Sequence, residues 1–328
     1  MKRIDSMRLP IINYAIPVLN EEGRIANCLE AIKQQNYPEL KKEIIVMDGG
    51  STDQTVIIAK SYGACVYPNS SKLAEPGLAK AYKKAKGDYM VYMAADNILI
   101  DKNWTLKMIQ PFLDNPKQIL SSFSKVINDP NDNIWNKYFN EDQDPFSAFV
   151  FGNASHPDKY KRMYDVEIKR NNYTVYKYPI DKFPLIALAQ GTMLKTGIPR
   201  DKDAEYDDIL PLLLLVKSGG KIAYIKDTGL YHYSVKGFWH IVNKFKYRIY
   251  NSMKTNSYDV RARYMSPARK LRQYLFIPYS MTIFLPFIHG LYLAISKRKF
   301  YMLLHPILCF IIGYYIITTF IQVKLWGK

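Results

Sequence analysis

An α/β fold with a doubly wound, mostly parallel sheet is predicted by three short apolar runs and by the polar segment that closes each of them. Residues 11–18 (IINYAIPV), 44–47 (IIVM) and 89–93 (YMVYM) have strand length and strand composition. The first leads into a helical stretch from about Arg24 to Gln35, and the second into one opening at Gln54. All three runs end in polar residues: Asn20-Glu21-Glu22 after Pro17-Val18-Leu19, the segment 48–53 (DGGSTD), and Ala94-Ala95-Asp96-Asn97. In open α/β sheets ligands bind beyond the carboxyl ends of the strands. One site assembled from three loops is therefore expected.

The segment 48–53 carries the most chemistry. Its carboxylates are badly suited to cradling phosphate but suit the hydroxyls and N–H groups of a nucleoside. The alternative is a plain strand-to-helix turn capped by Ser51 or Asp53.

Three motifs in order carry a resemblance: Pro-Val-x-Asn-Glu from Pro17, Ile-Ile-Val-x-Asp-Gly-Gly-Ser-Thr-Asp from Ile44, and Lys-Gly-Asp-Tyr-x-x-x-x-x-Ala-Asp-Asn from Lys86. Together they resemble family-two glycosyltransferases of the GT-A fold, over roughly residues 10–235. The resemblance implies a nucleotide-diphosphate-sugar donor (UDP-linked being the commonest case), a divalent Mg2+ or Mn2+, and transfer with inversion at the anomeric carbon. It also implies that Asp48 contacts the donor base, with Gly49 and Asp53 beside it. Pro17, Val18, Asn20 and Glu21 would line the same pocket.

At the metal motif the chain departs from the family. The usual Asp-x-Asp falls on Ala94-Ala95-Asp96, so the first acid is missing and the second, the metal's, is kept. Hard divalent cations keep waters and substrate phosphates as ligands, so one carboxylate can suffice. Asn97 either adds a neutral oxygen or caps the following turn.

The resemblance places the catalytic base in the block 203–210 (DAEYDDIL). Ser218-Gly219-Gly220-Lys221-Ile222 fixes the register and sets the family's acidic pair on Asp207-Asp208. Asp208 would deprotonate the acceptor hydroxyl, with Glu205 as the fallback. The same cluster also reads as a helix N-terminus, where carboxylates are favoured. His232 stands where relatives carry a His after a final strand, which in some of them reaches the metal or diphosphate, although a lone His is more often structural. Gln190 and Gly191 resemble the family's Gly-rich segment at the donor sugar. Lys80 occupies a region where the family often has an Arg facing the diphosphate, and equally reads as an exposed helix residue.

Composition bounds the rest. The chain has 328 residues, a net charge of +17 and three cysteines, Cys28, Cys65 and Cys309, with no metal-ligand spacing. Few unpaired cysteines fit a reducing compartment. Such a charge first raises a nucleic-acid partner, but it is concentrated. Ten Lys and Arg lie between Lys236 and Arg272, opposed only by Asp259. Phe238, Val242, Phe245, Ile249 and Met253 recur there at helical spacing. That pattern reads as a basic amphipathic helix on an anionic membrane surface, against a helix packed on the catalytic domain.

Two uncharged apolar stretches come after it, residues 274–295 and 302–323, each long enough for a hydrocarbon core that needs about 20 residues. A spanning hairpin is the favoured topology, with in-plane or re-entrant helices as the alternative because Pro278, Pro286 and Pro306 interrupt them. The basic tract favours the cytoplasmic face, although Lys297-Arg298-Lys299 would then lie on the wrong side. Trp326 and flanking tyrosines would sit at the interface. Lys2 and Arg3 resemble a leader's basic start, but Pro10, Asn13, Pro17 and Asn20 break any apolar core.

The expected organisation is a catalytic domain over 1–235 (1–120 holding the donor, 121–235 the acceptor and base), an interfacial segment over 236–272 and membrane helices over 273–328. The aromatic-rich stretch 121–188 is the least legible part and reads as core or as an acceptor surface. The functional expectation is a membrane-anchored inverting glycosyltransferase acting on a lipid-linked or polyprenyl-phosphate acceptor, with no nucleic-acid partner. A catalytically inactive, membrane-tethered sugar-nucleotide-binding scaffold subunit is the alternative that Ala94 raises.

Overall fold

The computed structural model describes residues 9–198, 204–255 and 257–325. The expectations attached to Lys2, Arg3, Asp203 and Trp326 lie outside these residues. The described chain divides into two compact units.

The first unit holds residues up to 127, 165–177 and 186–232. Strand β1 (Ile12–Val18) is buried along nearly its whole length, as its continuous apolar sequence requires of a strand covered on both faces. Helix α1 (Glu22–Lys33) buries Ile25, Cys28, Leu29 and Ile32, the i, i+3, i+4, i+7 stripe of an amphipathic helix. Each such aliphatic burial stabilises by about 1.5–3 kcal/mol. Glu22 in its first turn and Lys33 in its last complement the helix dipole. Strand β2 (Lys42–Asp48) runs parallel to β1, with Val18 opposite Asp48 at the carboxyl end. Helix α2 (Thr55–Ser61), strand β3 (Cys65–Pro68), helix α3 (Ala74–Lys84) and strand β4 (Tyr89–Tyr92) complete a parallel half, β3-β2-β1-β4.

The other half of the sheet is mixed. After β5 (Asn97–Leu99), α4 (Trp104–Asp114) and β6 (Ile119–Ile127) come the hairpin β7 (Val166–Lys169) and β8 (Tyr173–Tyr176), then β9 (Thr192–Lys195). Helix α7 (Leu210–Lys217) and the long strand β10 (Lys221–His232) close the unit. The order β3-β2-β1-β4-β9-β6-β10-β8-β7 sets β9 antiparallel between β4 and β6, with β5 pairing antiparallel to the end of β10. The reason for the reversal is a contact between residues distant in sequence. Gly191 donates its N–H to Tyr92 O at 2.8 Å, so the chain enters β9 at the carboxyl end of β4 and must run back along it. The predicted doubly wound α/β class holds, with this mixed half as the addition.

The second unit holds residues 128–164, 178–185 and 233 onwards. Its helices are α5 (Ile134–Asp142), α6 (Pro145–Phe151), α8 (Phe238–Thr255), α9 (Ser257–Ala262), α10 (Pro267–Met281), α11 (Phe284–Lys297) and α12 (His305–Phe320). Tyr138, Phe139, Ile241, Phe245, Phe276 and Leu308 form its core. Residues 128–164 and 178–185 thus cluster with the C-terminal segment, and the chain crosses between units at His232/Tyr233. The apolar face of α8 is buried at Ile241, Val242 and Phe245, while Trp239 is exposed. Arg269 is withdrawn from the basic tract: it is 5% exposed and donates to Phe183 O at 2.7 Å and Lys182 O at 3.0 Å.

The first predicted apolar stretch is not one straight helix. α10 and α11 meet at a 99° bend, where Ile283 has φ 55°, a left-handed conformation that β-branched residues rarely adopt. The second stretch forms a continuous helical run, Phe300–Val323, long and apolar enough to cross a membrane.

Candidate active site

The loops after β1 and β2 are locked to each other by their own polar groups. Gly49 donates to Val18 O at 2.8 Å, and Asn20 N–H to Ser51 Oγ at 2.9 Å. Thr52 N–H donates to Asn20 Oδ1 at 2.8 Å, Glu21 N–H to Thr55 Oγ1 at 2.7 Å, and Gln54 N–H to Glu22 Oε2 at 2.9 Å. At about 1 kcal/mol net for each bond, the pair of loops is a preformed rim. Asn20 holds φ 55° to make these bonds, a conformation Asn tolerates better than most residues. At Gly49 a Cβ would lie 3.2 Å from Val18 O, a tight approach to backbone.

Within this rim the predicted residues take different tasks. Asp48 accepts from Gly50 N–H at 3.1 Å and Ser51 N–H at 3.0 Å, which fixes its carboxylate at the strand end. Asp53 accepts from Thr55 N–H (3.0 Å), the Thr55 hydroxyl (2.5 Å) and Glu22 N–H (3.2 Å). Desolvation works against its charged form, but these bonds outweigh it and hold its carboxyl below the usual range. The turn-capping alternative therefore describes Asp53. Lys80, on α3, donates to Ser70 Oγ at 3.2 Å.

The third loop brings the centre together. β5 pairs with the end of β10 so that Asn97 lies opposite His232, and that register sets His232 beside Asp96. His232 Nε2 is 3.6 Å from Asp96 Oδ1, and Arg24 Nη1 is 3.6 Å from Asp96 Oδ2. Arg24 also donates to Glu21, Nε to Oε2 at 2.8 Å and Nη2 to Oε1 at 3.2 Å. Glu21, Arg24, Asp96 and His232 form one contiguous chain of ionisable side chains, in which His232 carries charge only when protonated. Asn97 Oδ1 accepts from Ala94 N–H at 2.9 Å, so its oxygen caps the turn. Beneath the loop the Cys28 thiol faces Ala94 O at 3.6 Å, and burial, with the Asp96 charge second, pushes its pKa up. It is an inert thiol.

These residues fit a hard divalent cation. The carboxylate oxygen is a suitable donor, imidazole is the softer one and favours Mn2+ over Mg2+, and one cation with bonds of about 2.1 Å spans a 3.6 Å pair. Among the described residues no group of three or more His, Cys, Asp or Glu side chains gathers as a cage. Substrate phosphate and water would supply the other ligands.

The acidic block is tied to the same edge of the sheet. Leu188 N–H donates to Asp208 O at 3.3 Å, and Gly191, three residues on, is held by Tyr92 at the end of β4. Asp207 Oδ1 accepts from Ile209 and Leu210 N–H, both at 2.7 Å, and is buried. Asp207 therefore ties down the chain entering α7, whose N-cap is Ile209, and Asp208 and Glu205 are half-buried neighbours. Gly191 has φ 71°, and a Cβ there would lie 2.4 Å from Leu230 Cδ2, so this segment of Gln190-Gly191 admits glycine alone without strain. Arg24 is the one member of the chain of ionisable side chains that the motifs did not single out. A lone Arg in the first turn of a helix carries no sequence signal beyond that of a solvated charge.

The mixed sheet, with acidic loops at its carboxyl edge and a carboxylate–imidazole pair beside them, has the GT-A-type fold of its structural neighbours. Residues 14–177, half of the chain, match the family described as Glycosyl transferase family 2, and the chain belongs to it. Among solved structures, the mannosyltransferase PcManGT from Pyrobaculum calidifontis, in complex with GDP-Man and Mn2+, is similar with a TM-score of 0.57 at 15% identity, covering 99% of this chain and 89% of that one. At that identity the likeness is one of fold. Glycosyltransferase AglE of Haloferax volcanii is 42% identical over 67 residues, 20% of this chain and 22% of that protein. The dolichyl N-acetyl-alpha-D-glucosaminyl phosphate 3-beta-D-2,3-diacetamido-2,3-dideoxy-beta-D-glucuronosyltransferase of Methanococcus voltae is 32% identical over 91 residues, 26% of this chain and 28% of that one. The chain thus spans under a third of the length of either relative.

Proposed function

We propose that the chain is an inverting, metal-dependent glycosyltransferase that moves a sugar from a nucleotide diphosphate to a lipid-linked acceptor at the cytoplasmic face of a membrane. The observation that carries this reading is the pairing of His232 with Asp96 at 3.6 Å, beside the interlocked loops of β1 and β2. In this reading Asp48 takes an N–H of the donor base, and Pro17, Val18 and Gly49 close around it. Asp96 and His232 would hold Mg2+ or Mn2+, which when bound would neutralise charge on the leaving diphosphate. Asp208 accepts the acceptor's hydroxyl proton as that oxygen attacks the anomeric carbon, and the nucleotide diphosphate departs with the bonding pair. Asp207, bound by two backbone N–H groups, holds its neighbour in place.

The lipid acceptor draws on two supports. The relative from Methanococcus voltae is named for a dolichyl phosphate-linked acceptor. The exposed faces of α11 and α12 carry Phe284, Phe287, Tyr292, Ile295 and Phe310, an apolar surface suited to lipid. A second reading, a tethered scaffold that binds the donor without turnover, rests on Ala94 in place of the first acid. Labelled sugar offered on a panel of nucleotide donors to membranes containing the full chain separates these. Label passing into the organic phase, and lost with Asp208→Asn, supports the transferase. Donor binding with no label leaving the nucleotide supports the scaffold.

A further inference from the structure

Arg24 and the Glu21 that holds it have no task in the reaction as proposed. The Arg24 guanidinium is gripped by Glu21 through two nitrogens, at 2.8 and 3.2 Å, and its third nitrogen stands 3.6 Å from Asp96 Oδ2. Glu21 is itself anchored, its N–H bonded to Thr55 Oγ1 at 2.7 Å. A fork held at two points is preorganised in a way that a loose surface arginine is not. The side chains of Arg24 and Asp96 are 21% and 12% exposed, so water screens their attraction only in part.

We propose that Arg24 is a built-in counter-cation for Asp96 that opposes divalent-metal binding until the donor arrives. The proposal rests on the reading of Asp96 and His232 as the metal's protein ligands. Position 94 is Ala, so the loop offers one carboxylate where the resemblance expects two. His232 faces one oxygen of that carboxylate and Arg24 the other. A divalent cation entering beside the guanidinium meets a like charge with a single carboxylate between them. Release of Asp96 by Arg24, which Glu21 can retain, lifts that repulsion. A nucleotide diphosphate brings negative charge that accommodates both cations at once. Metal affinity is therefore low in the donor-free protein and rises with the nucleotide, a coupling between two ligands of one site.

The test is a Mn2+ titration of the donor-free full chain, reading free Mn2+ by electron paramagnetic resonance. Arg24→Met and Arg24→Gln should each tighten Mn2+ binding about five- to tenfold, as loss of one partly screened like charge implies. Arg24→Lys keeps the charge and should stay within about twofold of the parent. Two neutral variants of different shape, each checked by thermal melting, leave a readout if one fails to fold. Unchanged or weaker Mn2+ binding in the folded neutral variants overturns the proposal. Asp96→Asn tells that failure from failure of the underlying reading. If it loses Mn2+ while the neutral Arg24 variants do not tighten, only the role of Arg24 falls. If it binds Mn2+ like the parent, the ion sits elsewhere and both fall.

Discussion

Adjacent carboxylates at positions 207 and 208 have different environments, and that difference makes distinct predictions. Asp207 accepts two backbone N–H bonds at 2.7 Å as the chain enters α7, so Asp207→Ala should cost about 0.5–2 kcal/mol of stability in chemical denaturation, the range seen when a carboxylate that bonds the N–H groups at a helix start is removed. Asp208→Asn should leave the melting temperature within a few degrees and lower turnover by about 100- to 10,000-fold, the usual contribution of a positioned base. If turnover falls with Asp207 and survives without Asp208, the base is misassigned. At this scale what the sequence made legible was position: Asp48 closes β2 and Asp96 lies in the loop after β4, as expected. It was not legible where a side chain serves its own loop. Asp53 and Asn20 bond within the rim, and the Asn97 oxygen caps Ala94, because a motif cannot distinguish a carboxylate aimed at a ligand from one bonded to its neighbours. Arg24 and the buried Arg269 read equally as solvated charges, since burial depends on partners far away in the chain.

Secondary elements are joined by a few identifiable contacts. Asp101 fastens the start of α4 to β10: it accepts from Lys107 Nζ at 2.5 Å, from Asn103 N–H at 2.8 Å and from the Thr228 hydroxyl at 3.2 Å. Partial burial opposes its charge, but the Lys107 bond and then the others outweigh it and lower its pKa. A carboxylate depressed in the folded state contributes stability above its unfolded pKa of about 3.9, and that contribution disappears as pH falls through the lower folded value. Asp101→Asn should therefore cost about 1 kcal/mol at neutral pH, a figure that allows for solvent screening of the pair, and flatten the fall in stability below about pH 4, measured by denaturant melts across pH. Gly191→Ala should destabilise by about 1–2 kcal/mol from the left-handed backbone alone, with displacement of Leu230 in addition. The positions of β1, β2, β4 and α1 came from local apolar runs and the polar segments that close them. The antiparallel β9 and the β7–β8 hairpin did not, because their pairing is set by non-local contacts such as Gly191 to Tyr92, within or beside the aromatic-rich stretch that local patterns left open.

On the scale of the whole molecule, apolar sequence alone announced the C-terminal helices but not their path. A 99° bend between α10 and α11 replaces the first straight span, while Phe300–Val323 remains continuous. The proline interruptions were visible in the sequence, and the left-handed Ile283 at the break was not. With Phe284, Phe287 and Ile295 exposed, the full chain should float with lipid vesicles and stay with them in 1 M salt, conditions in which charge attraction alone is screened within about 3 Å. Complete release by salt would mean that the basic tract, and no apolar insertion, makes the attachment. The central claim is chemical, and one measurement reaches it most directly. Purified full chain is given Mn2+ and a panel of nucleotide sugars, with turnover followed in the parent, Asp96→Ala and Asp208→Asn. The expected result is turnover of one donor that both substitutions abolish or nearly abolish. Turnover that survives in both would contradict the assignment of the reaction to this edge of the sheet.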